Sequence, residues 1–132
     1  MLKGIQGSGK STWAKNYLKD NFYTIRVSND ELRLMMFNRV FSKRDSHFVS
    51  VIREMIIEKA MVEGKDIIVD NMNITNDFEM KYRMLAEKYG YEFELREFTD
   101  TPLEVCIERD SKRLNPIGFK LITEMYNKFI KK

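Results

Sequence analysis

The run Gly4-Ile5-Gln6-Gly7-Ser8-Gly9-Lys10-Ser11-Thr12 satisfies the phosphate-binding pattern G-x-x-x-x-G-K-[ST] at every required position. Its chemistry is that of a loop closed around an anion. Glycines let the backbone turn so that successive N–H groups face a phosphate, Lys10 brings charge to the β/γ oxygens, and Ser11 offers a hydroxyl to Mg²⁺. A chance match in a chain of this length occurs roughly once in two hundred sequences, which makes a mere Gly-rich turn the weaker reading. The pattern also asks for an apolar strand before the loop, and only Met1-Leu2-Lys3 precede Gly4. The first strand is therefore expected to be truncated at the N-terminus, either because the assigned start omits several of its residues or because the domain manages with a stub.

Further groups have types and spacing suited to the same chemistry, and each has a structural alternative. Asp30 follows a strand-like run, where a carboxylate can accept a hydroxyl proton and orient the oxygen toward a bound phosphate. Ser28-x-x-Glu31 is equally a capping box, and Asp30 in a first turn suits the helix dipole. Asp70 ends the apolar run Ile67-Ile68-Val69, as a Walker-B carboxylate near Mg²⁺ does; a turn-forming Asp is the alternative. Arg109 and Arg113 are four apart, so a helix would put both on one face within reach of one anion. They could as well belong to a solvated face on which Glu108 pairs with Lys112.

The elements that must position these groups alternate between strand and helix. Lys10 to Asp20 reads as a helix and Phe22 to Val27 as a strand. Ser28 opens a second helix, and Val51, Ile52, Met55, Ile56 and Ala60 recur at helical spacing in a third, closed near Glu63-Gly64. Ile67 to Val69 is a short buried strand. Phe78, Tyr82, Leu85, Ala86 and Tyr89 form another helical stripe ending at Gly90, and Tyr91 to Phe98 reads as a strand. Pro102 suits the first position of a helix reaching toward Arg113, and Leu121 to Ile130 makes a last amphipathic helix. Parallel strands need long crossovers, so this alternation predicts an α/β fold: a short parallel sheet flanked by helices in three layers. Ligands of such sheets sit beyond the carboxyl ends of the strands, which singles out residues after Val27, Val69 and Phe98.

Composition bounds the alternatives. The 132 residues suit one domain over 1–132, and 43% hydrophobic with 33% charged residues is too apolar for a disordered chain. A single cysteine, Cys106, cannot make an internal disulfide, and one histidine, His47, leaves little material for zinc or Ser-His-Asp machinery. No apolar stretch approaches a bilayer span, so a soluble, cytoplasmic protein is expected. Lys and Arg number 23 against 20 acidic residues, a net charge of +3 that fits a polyanionic ligand without identifying one. Arg33, Arg39, Lys43, Arg44 and Arg53 face only Asp45, as either a solvated face or a binding surface. Trp13, Cys106 and the methionines, Met35, Met36, Met55 and Met84 among them, read as core material, and His47 as a residue near a helix start.

Residues 7–14 (Gly-Ser-Gly-Lys-Ser-Thr-Trp-Ala), Ser28-Asn29-Asp30-Glu31-Leu32-Arg33, Ile68-Val69-Asp70-Asn71-Met72-Asn73, Ala86-Glu87-Lys88-Tyr89-Gly90-Tyr91 and Arg109-Asp110-Ser111-Lys112-Arg113 occur in that order. In this the chain resembles the 5′-kinase domain of phage-type polynucleotide kinases, over nearly its whole length. The resemblance implies a kinase that transfers the γ-phosphate of ATP, or another nucleoside triphosphate, with Mg²⁺ to the 5′-hydroxyl of RNA or DNA. It implies that Gly4, Gly7, Ser8, Gly9, Lys10, Ser11 and Thr12 hold the nucleotide and Ser11 and Asp70 the metal. By the same resemblance Asp30 is the general base, Arg33 contacts the acceptor phosphate, and Arg109 and Arg113 are lid arginines. Met72 departs from the family's polar loop, and only Leu114-Asn115 separate Arg113 from Pro116, a short lid that suits a polymer end. A ligase in the same pathway and the cytoplasm of a phage-infected bacterium are implied likewise. A 3′-phosphatase activity is not expected, since no Asp-x-Asp-x-[Thr/Val] motif occurs. A small-metabolite or nucleoside kinase on the same scaffold, or a non-catalytic nucleotide-binding module, stands as the alternative.

Overall fold

The computed structural model describes residues 1–38, 42–113 and 116–131; Arg39 of the basic stretch and Leu114-Asn115 of the lid lie outside them. The fold is α/β, built from parallel strand pairs flanked by helices, and comprises two compact units: residues 1–12 with 72–132, and residues 13–71.

In the first unit, β1 (Leu2–Lys3) pairs in parallel with β4 (Arg96–Glu97) in the register Leu2↔Arg96. The expected strand Tyr91 to Phe98 shrinks to these two residues because β1 offers only two to pair with. The Arg96 and Phe98 N–H groups donate to the Met1 and Lys3 carbonyls at 3.0 and 2.7 Å. Beside β1, Gly4 N–H donates to Met72 O at 3.0 Å, and the buried Asn73, left-handed at φ 50°, donates its side-chain amide to Leu2 O at 2.8 Å. Asn73 therefore fastens its own loop to β1. Helix α4 (Asn76–Tyr89) buries Tyr82 and Ala86 and stops at left-handed Gly90. Helices α5 (Leu103–Ser111) and α6 (Phe119–Met125, continued by a π-helical turn over Tyr126–Ile130) share a core of Ile5, Cys106 and Ile122.

Helix α1 (Lys10–Asp20) begins in this unit and continues into the second. Trp13 on it is only half-buried and stacks on Tyr17 with ring centres 5.3 Å apart, rather than anchoring a core.

In the second unit, β2 (Thr24–Val27) runs parallel to β3 (Asp66–Val69) from Thr24↔Asp66 to Val27↔Val69. Phe22 and Tyr23, expected in the strand, lie in the preceding turn and are largely exposed. Ser28 caps α2 (Asn29–Phe37), its Oγ accepting from Glu31 N–H at 3.4 Å, so the cap read from sequence exists. Helix α3 (Ser46–Val62) packs on both strands and on α2. Its buried face is Val49, Arg53, Ile57 and Ala60, spaced four, four and three apart, while Val51 and Met55 of the expected stripe are exposed. Met35 and Met84 are exposed too, so the methionines are not chiefly core fillers. His47 does lie at the start of a helix.

Candidate active site: a phosphate loop and a carboxylate–arginine cluster

The Gly4–Thr12 loop owes its shape to backbone freedom. Gly7 and Gly9 take φ of +78° and +104°, a region costly to residues with a Cβ. A Cβ on Gly7 would also run into the Cys106 carbonyl, and one on Gly4 would lie 2.7 Å from Ser8 Oγ and 2.9 Å from Phe98 O. Both effects act on Gly7→Ala, which should destabilise the domain by about 2–4 kcal/mol, read as a lower urea midpoint.

Inside the loop the buried Lys10 ammonium donates to Gly4 O at 2.8 Å and Ile5 O at 2.9 Å. Thr101 Oγ1 donates to Ser8 O at 2.9 Å, and Arg109 Nη1 to Gly7 O at 3.1 Å. Arg109 thus stands on the loop, its Nη1 3.5 Å from where a Cβ on Gly9 would sit. The hydroxyl of Ser8 is buried with no hydrogen-bond partner among the described residues. An orphaned hydroxyl, a glycine cradle, the start of α1 and two cations fit a bound phosphate chain.

Arg113 is placed differently from the sequence expectation. Helix α5 ends at Ser111, so Arg113 lies in the turn beyond it and does not share a helix face with Arg109. Its Nη1 meets Asp110 Oδ1 at 3.5 Å, and the buried Asp110 carboxylate also accepts from the Ile117 and Gly118 N–H groups at 3.2 and 3.0 Å. Glu108 and Lys112 pair at 3.1 Å, as the alternative reading of this segment expected.

Burial pushes the Cys106 thiol above its ordinary range, against the opposing pull of Arg109 and Lys10. The folded thiol keeps its proton to higher pH than the unfolded one, so its contribution to stability is lost as pH rises beyond the ordinary thiol value of about 8.5. Native chain at pH 8 should resist iodoacetamide over a period in which urea-unfolded chain is fully alkylated, as intact mass would show.

The second unit gathers a polar cluster at the carboxyl ends of β2 and β3. Asp30 is more than half exposed and meets Arg33 Nη1 at 3.2 Å, whereas the Arg33 side chain is only 8% exposed. The buried Arg53 donates Nη1 to Asn29 Oδ1 at 3.3 Å and pairs with Glu54 at 2.9 Å. Asn29 N–H donates to Asn71 Oδ1 at 2.8 Å, tying the segments after the two strands together. Asp70 extends the ladder through its N–H to Val27 O at 2.9 Å, and its carboxylate, 1% exposed, accepts from Arg26 Nε at 2.7 Å. In the basic stretch, then, Arg33 and Arg53 are buried and belong to no solvated face, while Lys43 and Arg44 are exposed.

Mg²⁺ takes oxygen ligands, commonly one or two protein groups beside phosphate oxygens and waters. The Ser11 hydroxyl and Asp70 carboxylate are donors of that hard type. Among the described residues no group of three or more His, Cys, Asp or Glu side chains could cage a metal alone. Each, taken by itself, is the kind of oxygen that suits an ion arriving with a nucleotide.

Sequence reasoning missed Arg26 and the part played by Arg53, Asn29 and Asn71. Arg26 had a signal: a charge between Ile25 and Val27 in a strand of a parallel sheet must find a buried partner.

Residues 1–128 match the family described as AAA domain. The chain belongs to that family. This AAA domain is 31% identical over 147 aligned residues to a protein of Autographa californica nuclear polyhedrosis virus that carries the name bifunctional polynucleotide kinase/RNA ligase, an alignment covering 99% of this chain and 20% of that protein. It is 30% identical to an adenylyl-sulfate kinase of Buchnera aphidicola subsp. Schizaphis graminum, over 84% of this chain and 54% of the other. A chain in the structure of the Pnkp1/Rnl/Hen1 RNA repair complex shares its fold with a TM-score of 0.81 at 23% identity, over 97% of this chain and 42% of that one. The AAA domain therefore spans about a fifth to a half of these relatives, and its kinship runs to P-loop kinases that use nucleoside triphosphates. Among its described residues no helix is long and apolar enough to cross a membrane.

Proposed function

We propose that this AAA domain is a polynucleotide 5′-hydroxyl kinase, moving the γ-phosphoryl group of ATP or another nucleoside triphosphate to the 5′ end of RNA or DNA. The observation that carries the reading is the Asp30–Arg33 pair: an exposed carboxylate 3.2 Å from an otherwise buried guanidinium, in the helix that follows β2. An exposed carboxylate that a hydroxyl can approach, beside a buried cation for a neighbouring phosphate, suits an acceptor that is itself a phosphodiester chain.

In this reading the Gly4–Thr12 loop and Lys10 hold the triphosphate. Ser11 and Asp70 serve Mg²⁺, which when bound neutralises charge on the phosphates. Asp30 takes the proton of the 5′-hydroxyl as its oxygen bonds to the γ-phosphorus and the bond to the β–γ bridging oxygen breaks, releasing the nucleoside diphosphate. Arg109 and Arg113 spread the charge of the transferring group, and Arg33 holds the acceptor's phosphate. Lys43 and Arg44 extend the basic surface toward the rest of the strand. A nucleic acid ligase that consumes the 5′-phosphate is the proposed partner, supported by the names of the viral relative and of the RNA repair complex. The phage-type resemblance makes the cytoplasm of an infected bacterium the proposed setting.

The adenylyl-sulfate kinase relatives, 30% and 27% identical, favour a second reading in which the acceptor is a small metabolite. Parallel rate measurements with a 5′-hydroxyl oligonucleotide, free nucleosides and adenylyl sulfate separate the two. The oligonucleotide should be the fastest acceptor, and charge reversal at Lys43 and Arg44 should slow it alone. Equal or faster transfer to a small acceptor would give the second reading the field.

A further inference from the structure

An α-helix leaves its first N–H groups without partners inside the helix, and α2 meets that need in two ways. Ser28 Oγ accepts from Glu31 N–H at 3.4 Å, a cap supplied by the adjoining residue. Asn29 N–H, the first of the helix, donates instead to Asn71 Oδ1 at 2.8 Å, 42 residues away in the chain. A local cap decides where along the sequence the helix begins. A cap from beyond β3 also decides where that beginning sits in space.

Asn29 directly precedes Asp30, and Asn71 directly follows Asp70. One hydrogen bond thus joins the neighbours of the two carboxylates assigned above to the acceptor hydroxyl and to the metal. The β3 side of that bond is anchored, because Asp70 N–H continues the ladder to Val27 O at 2.9 Å. From α3 comes Arg53, 4% exposed, whose Nη1 donates to Asn29 Oδ1 at 3.3 Å. Asn29 is therefore held through its backbone by the segment after β3 and through its side chain by α3. With the Asp30 side chain more than half exposed, its placement depends on the backbone that carries it.

We propose that Asn71 is a positioning residue for Asp30, setting the first turn of α2 against the end of β3, with Arg53 bracing Asn29 from α3. This role depends on the general-base part proposed for Asp30. A reacting group displaced by about 1 Å can lose about 10²-fold in rate, so a bond that sets this turn matters to the chemistry.

The test is a double-mutant cycle on the single-turnover rate of transfer to a 5′-hydroxyl oligonucleotide at saturating Mg·ATP. Asn71→Ala should lower that rate by about 10-fold or more with ADP affinity unchanged. Asn71→Asp keeps an acceptor oxygen of the same reach and should recover most of the loss. In an Asp30→Asn background Asn71→Ala should cost nothing further, a coupling that a merely structural role would not produce. Asn29→Pro decides the matter should Asn71→Ala fail to fold. It removes the donor at a first helical position, where proline is tolerated, after a Ser28 already extended at φ −132° and ψ 128°, and should slow transfer in the same way. A wild-type rate in the Asn71→Ala and Asn29→Pro variants, or an Asn71→Ala loss that persists in full on top of Asp30→Asn, overturns the positioning role and leaves Asp30 as the base. If the wild-type chain makes no transfer, or Asp30→Asn transfers as fast as wild type, the reading of the site has failed and the positioning role falls with it.

Discussion

Asp30→Asn should lower the rate of phosphoryl transfer to a 5′-hydroxyl by about 10²–10⁴-fold, with nucleotide binding retained. The substitution keeps size and hydrogen-bonding reach but removes the lone pair that accepts a proton. Asp30 is more than half exposed and its pair with Arg33 lies at the surface on the Asp30 side, so stability should change by no more than about 0.5 kcal/mol. The effect should therefore appear in kcat, with an unchanged melting temperature and unchanged ADP affinity. An equal loss of ADP binding would place Asp30 in nucleotide binding instead. Retained activity would leave it a first-turn residue whose worth is to the helix dipole alone.

Arg109→Ala should reduce kcat by about 10³-fold or more, the scale on which an arginine finger acts. Arg109 already reaches the loop through Gly7 O at 3.1 Å, so its guanidinium needs little rearrangement to meet a phosphoryl group held there. Arg109→Lys keeps the charge but loses the planar fork, and should recover only part of the rate. Arg113→Ala should cost less, because in this structure its guanidinium is paired with Asp110 beyond the end of α5. If Arg109→Ala leaves kcat unaltered while melting earlier, the arginine serves only to brace the loop. Single-turnover rates at saturating ATP, taken beside thermal unfolding, distinguish these outcomes.

What could be read from the residues differed between backbone-driven and packing-driven features. The loop was legible because glycines at set spacing have one physical use, and its positive φ values at Gly7 and Gly9 follow from that. The Ser28 cap and the Gly90 stop were legible for the same local reason. Strand lengths were not. Phe22 and Tyr23 have strand-like side chains but fall in a turn, and Tyr91 to Leu95 alternate as a strand should but lie outside the two-residue β4 that pairs with β1. The face of α3 was misjudged because an arginine occupies the buried stripe, where spacing arguments look for an apolar residue. The polar end of the core explains it: Arg53 is buried against Asn29 and Glu54, and no sequence pattern announces that pairing. Arg113 was assigned to a helix face by spacing alone, yet the helix stops at Ser111, and the Asp110 carboxylate binds the turn that follows it.

In the proposed reaction a phosphoryl group passes to the 5′ end of a nucleic acid. The direct measurement is the mass of a short 5′-hydroxyl oligonucleotide after incubation with the purified chain and Mg·ATP, with the site of the added group located by fragmentation. The oligonucleotide should gain one phosphoryl group, at the 5′ end, and should gain none with Asp30→Asn. An unaltered oligonucleotide in a sample that binds ATP, or a group added anywhere but the 5′ end, would contradict it.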